Sequence, residues 1–267
     1  MRKLSNLALV CWGAIAMLAF SGVSFAEVTA NVSNGQKIYD TGKSEANNDA
    51  KSVPACVTCH GENAIGNDDM GSPKLANVGY VYIVKQLTNF AEGKRTDLTM
   101  GVMNDIAKGL TEQDRRDLAA YENGQPRVGE LSNLKALATD GKVIGQAFKG
   151  QILVRYGREG IEGKVLKVPA CQSCHGYNGR GADPIFPKIA QQRYVYLVNQ
   201  LTHWRDASRA NDPVEMGVGI MRNVAKSLTD DDINDAATFL SQAADSSVGN
   251  GMEIDNRTVM KNIKIVR

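Results

Sequence analysis

Two five-residue strings are the part of this chain whose residue types and spacing suit chemistry. Cys56-Val57-Thr58-Cys59-His60 and Cys171-Gln172-Ser173-Cys174-His175 both read C-x-x-C-H, the pattern of c-type haem attachment. Thiols separated by two residues can add to the two vinyl groups of one haem. The adjoining His then lies under the iron as proximal ligand, and the opposite axial position is left to be filled. A single string of this kind has other uses, as a thioredoxin-like dithiol beside an unrelated His or as half of a zinc site. Two copies in a matching frame favour two covalently bound haems c.

Each iron then needs a sixth ligand, usually Met or a second His, and a Met thioether raises the reduction potential. The chain has three His. Beyond His60 and His175 only His203 is left, beside Trp204 on a polar helix face, with Asn89 at the aligned place in the first copy. It reads as a solvated side chain. Met103 lies seven residues before Leu110, and Met221 lies seven before Leu228. That in-phase pairing is what two equivalent sixth ligands require; the plainer alternative is that both fill gaps in cores. Met100 and Met216 are the fallback, ten and twelve residues before the same leucines and so out of register with each other, while Met70 and Met252 have no counterpart. Pro73 and Pro187 follow the two strings and could offer the carbonyl that orients each proximal His, or simply end a turn.

The cysteine count narrows the choice. Of five Cys, Cys11 falls in an apolar N-terminal run, and the other four all belong to the two strings. In an exported protein four Cys could instead make two disulfides, an account weakened by the His that follows each pair. No thiolate remains as an axial ligand.

The positioning elements repeat as the strings do. Gly35-Gln36 and Val53-Pro54-Ala55-Cys56 recur 115 positions later as Gly150-Gln151 and Val168-Pro169-Ala170-Cys171. At the same offset Gly61, Asn63, Gly66 and Asp68 match Gly176, Asn178, Gly181 and Asp183. At an offset of 114, Pro73-Lys74-Leu75-Ala76 matches Pro187-Lys188-Ile189-Ala190, and Gln86-Leu87-Thr88 matches Gln200-Leu201-Thr202. At 118, Ala107 to Thr111 answers Ala225 to Thr229. A duplication with small loop insertions explains this pattern.

Periodicity predicts a short helix before each string, over about 34–42 and 149–157. Tyr80, Ile83, Val84 and Leu87, like Tyr194, Leu197, Val198 and Leu201, line one helical face. Thr111 with Asp114, and Thr229 with Asp232, read as capping boxes opening a last helix. Leu118, Tyr121, Phe239 and Leu240 would face inward from those helices. No run alternates as a strand would. The expected fold is all-α, two tandem domains at 27–124 and 143–248 joined by a linker at 125–142, with a tail at 249–267 that has no assigned role.

At 267 residues with 43% hydrophobic and 22% charged, the chain can build two globular cores. Arg2, Lys3, the apolar run from Leu7 to Phe20 and the small residues around Ala26 read as a signal peptide over residues 1–26, cleaved after Ala26 in preference to acting as an anchor. Its removal takes Lys+Arg from 31 to 29 against 29 Asp+Glu. That balance offers no basic excess for nucleic acid.

The sequence resembles the dihaem class I cytochromes c, most closely the cytochrome c4 family. The resemblance rests on C-x-x-C-H-G-x-N-x-x-G, P-K-[LI]-A, the Tyr82–Leu87 and Tyr196–Leu201 segments, and M-x-x-x-x-x-x-L-[ST]-x-x-D. It covers roughly residues 33–125 and 148–243 and omits the tail. It implies two cytochrome c folds related by a pseudo-twofold axis, with the haems facing each other across the interface. Cys56, Cys59, His60 and Met103 would serve the first haem, and Cys171, Cys174, His175 and Met221 the second. It further implies an electron carrier, not an enzyme, in the periplasm, with at most loose membrane association. Electrons would come from a quinol-oxidising complex or a periplasmic dehydrogenase and pass to a terminal oxidase. The rival readings are a dihaem oxidoreductase of thiosulfate dehydrogenase or peroxidase type, and the cytochrome subunit of a larger dehydrogenase. The longer linker, the lead-in around Asn47-Asn48-Asp49 and the tail depart from the family pattern.

Overall fold

The computed structural model describes residues 29–45, 52–127, 130–160, 167–209 and 219–244. The expected signal peptide, Met216, Met252 and the tail at 249–267 lie outside them. Eleven α-helices occur among the described residues, and the only β-pairing there is three isolated bridges. The first half contains α1 (Val32–Thr41), α2 (Val57–His60), α3 (Tyr80–Ala91), α4 (Met103–Lys108) and α5 (Glu112–Gly124). After α6 (Leu134–Thr139), the second half repeats the order as α7 (Ala147–Tyr156), α8 (Gln172–His175), α9 (Tyr194–Arg205), α10 (Ile220–Ala225) and α11 (Asp230–Gln242).

Local chemistry sets the ends of these helices. Both capping boxes form as expected: the Thr111 and Thr229 side chains accept from the backbone N–H of Asp114 and Asp232, whose carboxylates accept in return from the threonine N–H. Asn31 caps α1 by accepting from Asn34 N at 3.1 Å, so this helix begins two residues earlier than periodicity suggests. It ends where Gly42 adopts φ 72°, a left-handed turn that suits glycine.

Each half is built on one crossing of its first helix over its last. A Cβ on Gly35 would stand 2.1 Å from the Asp117 carbonyl oxygen, and one on Gly150 would stand 1.9 Å from that of Asp235. Only glycine lets the backbones meet this closely. The carboxylates of the same two aspartates tie down the helix starts. Asp117 accepts from Asn31 N and Asn34 Nδ2, both at 2.7 Å, and Asp235 accepts from Gln146 N at 2.5 Å. The apolar faces then close two cores, one on Ile38, Tyr39, Leu87 and Leu118, the other on Leu153, Val154, Tyr194, Ile233 and Leu240. Each fully buried side chain of this size contributes roughly 1.5–3 kcal/mol.

The halves join through paired polar contacts. Gln192 accepts from Lys74 N at 2.6 Å and donates to Lys74 O at 2.8 Å, while the equivalent Lys188 N donates to Val78 O at 3.0 Å. Asp68 accepts from Val195 N at 3.0 Å at the start of α9 and pairs with Arg193 at 3.6 Å. Arg127 donates to Ala76 O at 2.8 Å and also to Ala190 O, so one guanidinium spans equivalent carbonyls of the two halves. The segment carrying α6 docks on the second half, with Leu137 in its core and Ser132 Oγ accepting from Tyr194 N at 2.9 Å.

Candidate functional site

Each C-x-x-C-H string folds as one helical turn. Cys56 precedes α2 and Cys59 sits a turn later on the same face, with His60 N donating to Cys56 O at 2.9 Å. His175 N donates to Cys171 O at the same distance. The chain must then reverse. Gly61 (φ 73°) and Gly176 (φ 72°) start the reversal, and Asn63 (φ 54°) and Asn178 (φ 53°) carry it through a left-handed conformation that asparagine tolerates better than most residues. Gly66 N and Gly181 N close back onto the carbonyls of His60 and His175 at 2.7 and 2.6 Å.

The two histidines are buried, each 7% exposed. His60 Nδ1 lies 3.1 Å from Pro73 O and His175 Nδ1 lies 2.9 Å from Pro187 O. A carbonyl only accepts, so Nδ1 carries the proton and Nε2 keeps its lone pair for a metal. Burial pushes both imidazoles below their ordinary range, against the opposing pull of the proline carbonyls. The neutral ring that iron ligation needs is therefore the favoured form. Burial likewise raises the Cys171 thiol to about 11, and it raises that of Cys56 with help from Glu122. None of the four cysteines is in a disulfide, and among the described residues no three of His, Cys, Asp and Glu converge as a zinc site requires.

One continuous cavity of about 620 Å³ is lined by both strings. Its walls are largely aliphatic, from Ile83, Leu87 and Leu118 on one side and Leu197, Leu228 and Leu240 on the other. Thiols, neutral imidazoles and an apolar chamber fit two haems attached by thioether bonds. Met103 and Met221 are both half-buried and both line the cavity. Met100 and Met70 reach it too, Met100 being 45% exposed. His203 is not among the lining residues, and its nearest role is structural, with its carbonyl accepting from Arg209 N at 3.0 Å.

Several residues here escaped the sequence. Asp97 accepts on Oδ2 from Val102 N at 3.1 Å and Met103 N at 3.3 Å, and on Oδ1 from Thr99 N at 2.9 Å, so it shapes the Met103 loop. Glu122 lines the cavity where the second half has Leu240. Gln86 and Gln200 were visible as part of the repeat, but not as partners of the buried Arg95 and Arg209. The 114-residue spacing of those arginines was the available signal.

Two half-molecules of one helical plan, each presenting a buried His after a pair of thiols to a shared apolar chamber, define a dihaem protein of c type. A family model described as cytochrome c matches residues 32–121 and 161–244. Cytochrome c4 of Thiocapsa roseopersicina is 35% identical over 195 residues, covering 72% of this chain and 88% of that protein. A thiosulfate dehydrogenase electron acceptor of Stutzerimonas stutzeri (strain A1501) is 30% identical over 220 residues, covering 82% of this chain and 91% of the other. Among solved structures, thiosulfate dehydrogenase from Marichromatium purpuratum superposes with a TM-score of 0.66 at 26% identity, over 82% of this chain but only 41% of that one. The chain belongs to the cytochrome c family and, within it, to the dihaem cytochrome c4 group. It is an electron-transfer protein that carries two covalent haems c on its two cysteine pairs.

Proposed function

We propose that this protein is a carrier that leaves substrates untouched, each iron being held by one imidazole and one thioether: His60 with Met103, and His175 with Met221. The haem groups supply the one-electron couple. The chain's part is to bind and orient them on Cys56, Cys59, Cys171 and Cys174, to fix each imidazole through Pro73 O or Pro187 O, and to keep water from the chamber. The observation that carries this reading is that Met103 and Met221, equivalent in the repeat, both line the cavity that both strings line. A six-coordinate iron offers no position to a substrate, which favours carriage over catalysis.

The units at 27–124 and 143–248 each hold one haem in this reading, and the signal peptide sends the mature protein to the periplasm. The relative named for accepting electrons from thiosulfate dehydrogenase spans most of the chain and supports a periplasmic dehydrogenase of that kind as donor. A quinol-oxidising complex is the other class of donor, and a terminal oxidase fits as acceptor. No helix among the described residues is long and apolar enough to cross a membrane.

Optical spectra of the holoprotein and of Met103→Ala and Met221→Ala test the assignment. Each variant is expected to convert one low-spin haem, about half of the total signal, to a high-spin form. A wild-type protein with one high-spin iron would favour the oxidoreductase reading suggested by the likeness to thiosulfate dehydrogenase itself.

A further inference from the structure

Glu122 stands in the last turn of α5 and lines the shared cavity. It is 3% exposed and its Oε2 has no hydrogen-bond partner. The titratable groups around it are Tyr39 and Asp40 of α1, Tyr121 beside it on α5, and Cys56 ahead of α2. Helix α3, which also packs on α5, brings Tyr80 and Lys85, and the segment before it brings Lys74. Beyond the end of α5, Arg127 donates to Ala76 O and Ala190 O. None of these groups donates to Glu122 Oε2.

A carboxyl taken out of water with no donor to hold its charge keeps its proton. Burial alone pushes the Glu122 carboxyl well above the ordinary carboxylate range. A charge placed on it still reaches the first haem-attachment string, because it raises the Cys56 thiol along with burial. Cys56 bonds to the first haem, so a carboxylate at Glu122 acts on that haem through an interior that screens poorly. The second half has Leu240 at this place, buried in its own core and lining the same cavity. The duplication therefore supplies its own control: two haem sites on one helical plan, with a proton on the wall of the first and a hydrocarbon on the wall of the second.

We propose that Glu122 is a redox-linked proton site of the first haem, and that the second haem lacks one at Leu240. The proposal rests on the dihaem reading above. While the first haem is reduced, Glu122 keeps its proton. When that haem passes an electron to a redox partner, one more positive charge remains beside Glu122 and favours the carboxylate, so the carboxyl O–H gives its proton to solvent. Re-reduction by a donor draws a proton back from solvent onto the same oxygen. One electron and one proton leave together, which keeps the net charge of the buried site constant. By linkage, the reduced protein binds this proton more tightly than the oxidised protein, so the potential of the first haem falls as pH rises through the range where the two differ.

The test uses the full-length haem-loaded protein and its Glu122→Gln and Glu122→Leu variants, and reads both midpoint potentials by spectroelectrochemical titration across the pH range in which a raised carboxyl titrates. In the wild type one potential is expected to fall with pH, by up to a tenfold change in the oxidised-to-reduced ratio per pH unit, about 59 mV for a one-electron couple. Glu122→Gln is expected to remove that fall from one haem and leave the pH dependence of the other as it was. Redox difference infrared spectra are expected to show a protonated-carboxyl band that disappears on oxidation of the wild type and is missing from both variants. The same fall persisting in Glu122→Gln, a fall lost equally from both haems, or a carboxyl band that survives the substitution would each overturn the proposal. Should Glu122→Gln not fold, Glu122→Leu, which places the second half's residue here, decides the same question. The alkaline pyridine spectrum counts haems independently: fewer than two per chain would sink the dihaem reading, whereas two haems with an unaltered pH dependence sink the proton link alone.

Discussion

Glu122 is a buried carboxyl on the wall of the shared cavity, at the place where the second half has Leu240. It is 3% exposed, its Oε2 has no hydrogen-bond partner, and burial pushes its carboxyl from an ordinary 4.5 up to about 8. The folded protein therefore binds this proton more tightly than the unfolded chain does. Between the two values the unfolded state holds fewer protons, so the contribution to stability is full below about pH 4.5 and is lost as pH rises through about 8. Leu240 holds the same place in the second half and has no proton to lose. Glu122→Leu is expected to flatten the decline in thermal stability between pH 5 and pH 8.5 and to raise Tm at the upper end. Glu122→Gln is expected to flatten it as well, without the gain from apolar packing. Melting curves at three pH values check this, and an unchanged slope in both variants would show that other groups govern the dependence. The sequence hid this residue because an isolated Glu on a mostly polar helix reads as solvated surface. Only its register opposite Leu240 hints otherwise.

At the scale of elements, the crossings of α1 over α5 and α7 over α11 set where each haem-attachment string begins. Gly35 and Gly150 leave no room for a methyl group, since its nearest neighbour is backbone and not a side chain that could swing aside. Gly35→Ala or Gly150→Ala must push two helices apart, a kind of overpacking that costs about 1–3 kcal/mol or more. For a unit of about 100 residues that corresponds to a fall in Tm of roughly 4–20 °C. Thermal unfolding of the two variants measures it, and a fall of less than a degree would mean that the crossing is softer than its geometry. Much of this level was legible. The capping boxes at Thr111 and Thr229, the apolar faces of α3 and α9, and the proline carbonyls behind His60 and His175 all follow from short-range patterns that the duplication shows twice. What was not legible is α6. Its six residues are too few to display a period, and its cap, Asn133 accepting from Ala136 N at 3.0 Å, is one side chain in a stretch that otherwise reads as linker.

For the whole molecule, the question is what makes two domains one device. Hydrogen bonds between the halves register equivalent carbonyls against each other, and no local pattern in the sequence announces which arginine finds which partner. Arg127 is the clearest case: it lies outside the repeat, yet its guanidinium joins Ala76 O to Ala190 O, the last residues of the two P-K-[LI]-A segments. Those segments supply the carbonyls that face His60 and His175, so one side chain links the backbone behind both histidines. Arg127→Ala leaves two buried carbonyls short of a charged donor, at about 1–3 kcal/mol each if water does not replace it. The halves keep their own cores and caps, so the cost falls on their association. Calorimetry is then expected to show one unfolding transition for the wild type and two for the variant, and electron exchange between the haems is expected to slow as their separation loosens. A variant that still unfolds in one step with unaltered exchange would show that Gln192, Lys188 and Asp68 hold the interface without it. That result would move the organising role from the linker to the contacts at the starts of α3 and α9.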